Sequence, residues 1–140
     1  MSQNKPIILL DPYPRTMDLL FSKENLKYLK KNFKLITAPN KNKNNFYEKN
    51  LPKADYIFGQ PNLPSSLISK STKLKAIFNV ESNFMDNMDY DYCFRKGIHV
   101  LATSPVFAQP VAEMAMGLTL SIARSIHIAH SDFISKKEKY

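Results

Sequence analysis

Short apolar runs that alternate with polar segments are the feature that most restricts how this chain can fold. Five runs have the length of a buried strand: residues 6–10, 33–38, 54–59, 76–80 and 98–102. Apolar spacing predicts helices over 14–32 and 63–70, a short helix that ends at Gly97, and a long helix after Pro105. Strands that alternate with helices form a parallel sheet with right-handed crossovers. We therefore expect an α/β fold: a flavodoxin-like five-stranded parallel sheet in the order 2-1-3-4-5, with flanking helices and a long C-terminal helix.

The segments between these runs suggest a division of the chain into two parts. Residues 40–45 are all Asn or Lys and offer no side chain to a core, so we predict a loop or an extended mobile tip there. The helix over 110–129 should be continuous, and it is apolar on nearly every side up to Ala123, so it needs cover from another surface. We expect a sheet domain over 1–104 and a connecting or dimerisation helix within 105–140.

The net charge of +8 raises the alternative of a basic nucleic-acid-binding domain. The lysines are spread along the chain, however, and those between Lys23 and Lys34 fall largely on the polar side of a predicted helix. No basic stripe carries interleaved aromatic residues. We therefore expect no nucleic-acid partner, and salt-dependent binding would reveal one.

Other features of the composition favour a cytoplasmic protein. No apolar run precedes Ile7, so we identify no signal peptide. The longest apolar stretch, 111–123, contains Glu113 and is shorter than the roughly 20 residues that a membrane span needs, so we expect no membrane partner. Cys93 is the single cysteine, which excludes an internal disulfide, and its setting indicates packing rather than reactivity.

Groups that follow the predicted strands should meet at one edge of the sheet. Ligands of parallel sheets bind beyond the carboxyl ends of the strands, which here are residues 11–13, 59–61, 81–83 and 102–104. A loop leaving a strand can also present backbone N–H groups that have no ladder partner. The candidate substrate-binding residues are Glu81, Ser82, Asn83, Gln60 and Tyr13. Arg15 and Asn62 lie near the same ends, although a solvated position at a helix start is the favoured interpretation of Arg15.

Five elements in the second half of the chain follow one another in a characteristic order. They are the strand 77–80, the loop Glu81-Ser82-Asn83, the segment Asp86-Asn87-Met88-Asp89, the strand Gly97-Ile98-His99-Val100, and the helix from Val111-Ala112-Glu113 to Arg124. This arrangement resembles the D-isomer-specific 2-hydroxyacid dehydrogenases, over roughly the last two thirds of the chain. The resemblance implies an oxidoreductase that uses NAD or NADP and acts on a small 2-hydroxy or 2-oxo acid.

The resemblance also implies roles for individual positions. The loop 81–83 would hold the substrate carboxylate with backbone N–H groups, although Glu81 and Asn83 stand where family members usually have glycine. A Val-Glu-x-Asn-Phe form of this loop occurs in some members. Val111 would lie close to the nicotinamide, and the helix 110–129 would form a homodimer interface.

The family's cofactor site is the part that this chain lacks in sequence. Its three glycines, Gly59, Gly97 and Gly117, form no Gly-x-Gly-x-x-Gly motif. The family's catalytic Arg, Glu and His lie in or beyond the nucleotide-binding domain. We therefore expect the N-terminal, substrate-binding domain of such an enzyme, with no catalytic residue of its own, no bound cofactor and no activity alone.

A stand-alone flavodoxin-like or receiver-like binding module is the alternative from another class. Asp11 ends the first strand as a receiver's acidic pair requires, but no Asp ends the third strand and no Lys ends the fifth. A metal site is not expected either. His127 and His130 share a helix face without a third ligand, and His99 lies within a strand.

Overall fold

The computed structural model describes residues 5–81 and 83–137, and its centre is a parallel sheet of five strands. The strands are β1 (Ile7–Asp11), β2 (Lys34–Thr37), β3 (Tyr56–Gly59), β4 (Ala76–Phe78) and β5 (His99–Leu101). They are ordered β2-β1-β3-β4-β5, and every neighbouring pair is parallel. The predicted fold class and strand order are confirmed.

Seven α-helices and a short 3-10 helix are present in the described ranges. The α-helices are α1 (Met17–Leu20), α2 (Lys23–Asn32), α3 (Lys43–Asn50), α4 (Ser65–Ile68), α5 (Tyr90–Arg95), α6 (Ser104–Ala123) and α7 (Ile126–Ile134). The 3-10 helix, Leu51–Lys53, follows α3 directly. The chain separates into two compact units, Met1–Ser104 and Pro105–Tyr140.

The core of the first unit lies on one face of the sheet. Leu9, Ile57 and Ile77 occupy the central strands and are fully buried, as alternation along β-strands requires. Side chains from the helical segments and from the connection after β3 complete the core: Tyr47, Leu51, Leu63, Ile68 and Cys93. Cys93 has no exposed surface, and burial raises the pKa of its thiol, so the predicted packing role is confirmed.

The second face of the sheet carries an aromatic layer. Phe58 and Phe78 stack with their ring centroids 4.6 Å apart, and Phe21 meets Phe58 edge-on at 5.5 Å. Phe21 lies between α1 and α2, where the predicted single helix 14–32 is divided. That prediction was therefore wrong at this point. Phe21 is in an extended conformation, and Ser22 caps α2 by accepting a hydrogen bond from the Asn25 backbone N–H.

Residues 40–45 are only partly the predicted loop, because α3 begins at Lys43. Local sequence gives this helix little support, since Asn is a weak helix former. Its stability comes from tertiary contacts: Tyr47 is 1 % exposed in the core, and Lys43 and Tyr47 both bind Asp11 at the end of β1. Packing of a few side chains therefore overrides the local composition.

The prediction of a continuous helix over 110–129 was wrong, because the helix is interrupted within this range. The first helix, α6, begins earlier, at Ser104, includes Pro110 and ends at Ala123, and α7 starts at Ile126. The break is at Ser125, which has a left-handed conformation (φ 53°) and donates its backbone N–H to the Ile122 carbonyl. A left-handed residue cannot continue an α-helix, so the long segment consists of two helices.

The length of α6 also changes one inference from sequence. The helix has 20 residues and a mean hydropathy of 1.3, which are enough to cross a membrane by length and composition alone. The apolar stretch 111–123 that the sequence indicated is therefore shorter than the helix, and the length available to cross a membrane was underestimated. Length and composition are weak evidence by themselves, because helices in the cores of soluble proteins satisfy the same criteria.

Candidate functional site

The carboxyl ends of β1, β3 and β4 lie side by side because these strands are neighbours in the sheet. Asp11 pairs with Gly59 where β1 and β3 end. A Cβ atom at Gly59 would lie 2.6 Å from the Asp11 carbonyl oxygen, which is too close for any side chain. Glycine therefore permits this approach, and it places Gln60 at the edge where the substrate site is predicted.

Gln60 holds the predicted substrate loop at two points. Its Oε1 accepts a hydrogen bond from the Glu81 backbone N–H at 3.1 Å, and its Nε2 donates to the Asn83 carbonyl at 2.9 Å. A single side chain directly after β3 thus satisfies polar groups on both sides of the loop that follows β4. No described residue accepts a hydrogen bond from the Asn83 backbone N–H, which leaves that donor available to a ligand.

Arg15 binds the side chain of Glu81 in a two-point fork. The distances are 2.9 Å from Nε to Oε1 and 3.2 Å from Nη2 to Oε2. The hydrogen bond to Glu81, followed by the charge of Glu81, raises the pKa of Arg15, which stays protonated. The pair offsets the negative charge that Glu81 brings to a loop expected to bind an anion.

A second charged cluster occupies the end of β1. Asp11 is 3 % exposed and accepts hydrogen bonds from Lys43 Nζ at 2.6 Å and Tyr47 Oη at 3.0 Å. Burial, followed by the nearby charge of Asp11, strongly raises the pKa of Tyr47, which therefore remains a neutral donor. Lys43 Nζ also lies 5.0 Å from the centroid of the Tyr13 ring, whose side chain is 68 % exposed.

The segment 86–89 fixes the far side of the loop. Asn87 Nδ2 donates to the Pro61 carbonyl at 2.7 Å, and the Asn87 carbonyl accepts from the Leu63 N–H at 2.7 Å. Asp89 caps α5 by accepting from the Tyr92 N–H at 2.8 Å. This motif therefore ties the connection after β3 to the connection after β4, which is a structural role.

The predicted site residues fall into three groups. Glu81, Asn83 and Gln60 come together in one hydrogen-bonded arrangement, whereas Ser82 lies outside the described residues. Tyr13 contacts Lys43 of the neighbouring cluster. Val111 belongs to the second unit, where its side chain is 63 % exposed.

Reasoning from the sequence missed Lys43 as a residue of this edge and favoured a solvated position for Arg15. Arg15 is 66 positions from Glu81, and Lys43 is 32 positions from Asp11, so no local spacing indicates either pair. Asn79, next to the site in sequence, is 1 % exposed, and its side-chain amide has no hydrogen-bond partner of good geometry among the described residues. Within residues 5–81 and 83–137, no group of three or more His, Cys, Asp or Glu could hold a metal ion.

Comparison with protein families identifies the class of protein that has this fold and loop arrangement. The model of the D-isomer specific 2-hydroxyacid dehydrogenase catalytic domain matches residues 15–137. The chain belongs to this family. The resemblance drawn from the sequence motifs is thereby confirmed.

Solved structures agree with this assignment. A phosphoglycerate oxidoreductase from Rhizobium etli is 38 % identical with a TM-score of 0.76, and the match covers 96 % of this chain and 41 % of that one. A 2-hydroxyacid dehydrogenase from Ketogulonicigenium vulgare Y25 has a TM-score of 0.66 at 21 % identity, covering 94 % and 40 %. The apo D-mandelate dehydrogenase of Rhodotorula graminis has a TM-score of 0.64 at 19 % identity, covering 94 % and 41 %. The last two likenesses concern the fold alone.

The chain thus spans about two fifths of the length of these solved structures. The comparison with curated proteins found no significant match.

Proposed function

We propose that this chain is the substrate-binding part of an NAD(P)-dependent oxidoreductase. The reaction is hydride transfer between the nicotinamide and C2 of a D-2-hydroxy acid or its 2-oxo counterpart. The single observation that carries the proposal is the position of Glu81 and Asn83, whose backbones Gln60 binds at the carboxyl edge of the sheet. Family membership supplies the reaction class.

The role of the loop is to bind and orient the substrate carboxylate. The Glu81 N–H is occupied by Gln60, while the Asn83 N–H has no acceptor among the described residues. A substrate carboxylate that accepts from Asn83 receives a charge-assisted hydrogen bond, which is stronger than a neutral one. Arg15 neutralises Glu81 and so reduces repulsion of the incoming anion. Ser82 is included in this loop on sequence grounds.

The glycines of the chain do not fit a dinucleotide. Gly59 packs against Asp11, Gly97 follows α5 with a φ of 70°, and Gly117 lies inside α6. None belongs to a Gly-x-Gly-x-x-Gly turn between a strand and a helix, which the family's pyrophosphate site requires. We therefore assign NAD or NADP binding, and the catalytic Arg, Glu and His, to sequence outside these 140 residues. Val111 is the proposed apolar contact of this chain with the nicotinamide.

The second unit is the proposed dimer contact. Large apolar side chains of α6, including Met114, Leu118 and Ile122, are 57–70 % exposed. Small residues in the same helix, Ala115 and Gly117, permit close approach of another helix. We propose that a second copy of the protein covers this surface, so that the working enzyme is a homodimer.

Calorimetric titration with NADH tests whether this chain binds the cofactor. The 140-residue chain should give no saturable heat and no reduction of 2-oxo acids. A product of the same gene that includes a Gly-x-Gly-x-x-Gly segment should oxidise D- but not L-2-hydroxy acids. Micromolar NADH affinity of the 140-residue chain, or equal activity on both isomers, would contradict the proposal.

A further inference from the structure

The fork between Arg15 and Glu81 joins loops from two separate strands. The Arg15 side chain is 52 % exposed and that of Glu81 26 %. An ion pair this exposed contributes only about 0–1 kcal/mol to stability. Stability alone is therefore a poor account of a two-bond contact across 66 positions of sequence.

The guanidinium retains unused hydrogen-bonding capacity. Arginine has five N–H donors in a planar fork, and Glu81 engages one on Nε and one on Nη2. No other acceptor for Arg15 occurs in the described part of the chain. The remaining donors belong to a half-exposed group at the carboxyl edge of the sheet, and Glu81 fixes their orientation.

The position of these donors relative to the loop is also fixed. Glu81 belongs to the loop that holds the substrate carboxylate, so Arg15 is anchored within one side-chain length of that loop. The neighbouring cation, Lys43, is already committed to the buried Asp11. Of these two cations, Arg15 is therefore the one that can bind a further acidic group without exposing a buried charge.

We propose that Arg15, oriented by Glu81, is a specificity-determining residue that binds a second acidic group of the substrate. The inference rests on the proposed function and deepens it. The substrate is a 2-hydroxy or 2-oxo acid whose far end carries a carboxylate or a phosphate. The loop holds the carboxylate next to C2, and the free guanidinium N–H groups hold the distal anion, since planar donors match both kinds of oxyanion.

Binding of three acids to the 140-residue chain tests this inference. D-lactate has one acidic group, D-malate has a second carboxylate, and D-glycerate 3-phosphate has a phosphate. Calorimetry or NMR titration should show D-malate or D-glycerate 3-phosphate binding at least about tenfold more tightly than D-lactate, as one added charge-assisted hydrogen bond allows. The tighter of the two identifies the distal group.

Two variants locate the effect. Arg15→Gln uncovers the charge of Glu81 and should weaken all three acids, but it should also bring the affinities of the diacids to within about twofold of that of D-lactate. Arg95→Gln removes the same charge from the last turn of α5, ahead of β5, and should leave the advantage intact. Diacids that bind no better than D-lactate, or an Arg15→Gln variant that retains the preference, would overturn the inference alone. Absence of binding by all three acids would overturn the proposed function with it.

Discussion

Gly59 and Gln60 show how two adjacent residues position the site. Gly59 allows β3 to approach the Asp11 carbonyl closely. The side-chain oxygen and nitrogen of Gln60 then both form hydrogen bonds with the loop after β4. The sequence identified Gln60 and the loop because both follow apolar runs. It gave no indication that one would bond the other, because that contact depends on strand order and on the exact ends of β3 and β4.

Gly59→Ala should destabilise the first unit and displace the loop. The added Cβ overlaps backbone atoms of Asp11, which costs about 1–3 kcal/mol beyond the conformational cost of a positive φ. Gly97→Ala is the matched control, because its φ is 70° but no atom lies within 4 Å of the new Cβ. It should cost only about 1–2 kcal/mol.

Urea unfolding of the two variants measures this difference. The Gly59 variant should lose at least about 1 kcal/mol more than the Gly97 variant. Equal losses would mean that the close approach to Asp11 relaxes at no cost.

At the scale of elements, α3 is the clearest departure from the sequence prediction. The run 40–45 contains only Asn and Lys, which is typical of a loop, yet Lys43 begins a helix. The contacts that hold it are with Asp11, 32 and 36 positions away. The predicted strands were correct because each was a short, mostly apolar segment bounded by polar residues, proline or glycine. The break at Ser125 was not predicted because neither proline nor glycine marks it.

Tyr47→Phe removes the hydrogen bond between Tyr47 of α3 and Asp11 of β1, and its effect on the unfolding free energy should depend on pH. At neutral pH the loss of the Asp11 hydrogen bond should cost about 1–3 kcal/mol. In the folded protein the pKa of Tyr47 is raised, whereas the unfolded chain has the ordinary value of about 10. Above pH 10 only the unfolded state releases this proton, so wild-type stability falls by up to about 1.4 kcal/mol per pH unit.

The Tyr47→Phe variant has no phenol at this position, so its unfolding free energy does not fall above pH 10 for this reason. The difference in unfolding free energy between wild type and Tyr47→Phe should therefore shrink between about pH 10 and 11. Tyr28→Phe, at a side chain that is 64 % exposed, controls for removal of a phenol as such. A difference that stays constant over this range would argue against a neutral, buried Tyr47.

For the whole molecule, the composition and the site lead to different expectations about partners. The charge of +8 first raised nucleic acid as an alternative. The family match and the positions of Gln60, Glu81 and Asn83 favour a small acid instead. The proposed homodimer rests on α6, whose large apolar residues are exposed in a single copy.

Replacing Leu118 and Ile122 of α6 with Lys should convert a dimer to a monomer. Burying each of these side chains stabilises association by about 1.5–3 kcal/mol, and each contributes twice in a symmetric dimer. Light scattering over a concentration series should show twice the chain mass for wild type and one chain mass for the variant. The control is Leu19→Lys with Tyr28→Lys, which changes two exposed residues of α1 and α2. A wild-type chain that stays monomeric at high concentration would contradict the dimer.

The central claim is that the loop after β4, held by Gln60, binds the carboxylate of a 2-hydroxy acid. An NMR titration of the 140-residue chain with D-malate tests it most directly. The backbone amide signals of Gln60, Glu81 and Asn83 should shift together and saturate. Gln60→Ala should weaken the response at least about tenfold, whereas Gln109→Ala, in the second unit, should not. Saturable shifts confined to other parts of the chain, or an unaltered response in Gln60→Ala, would contradict the account.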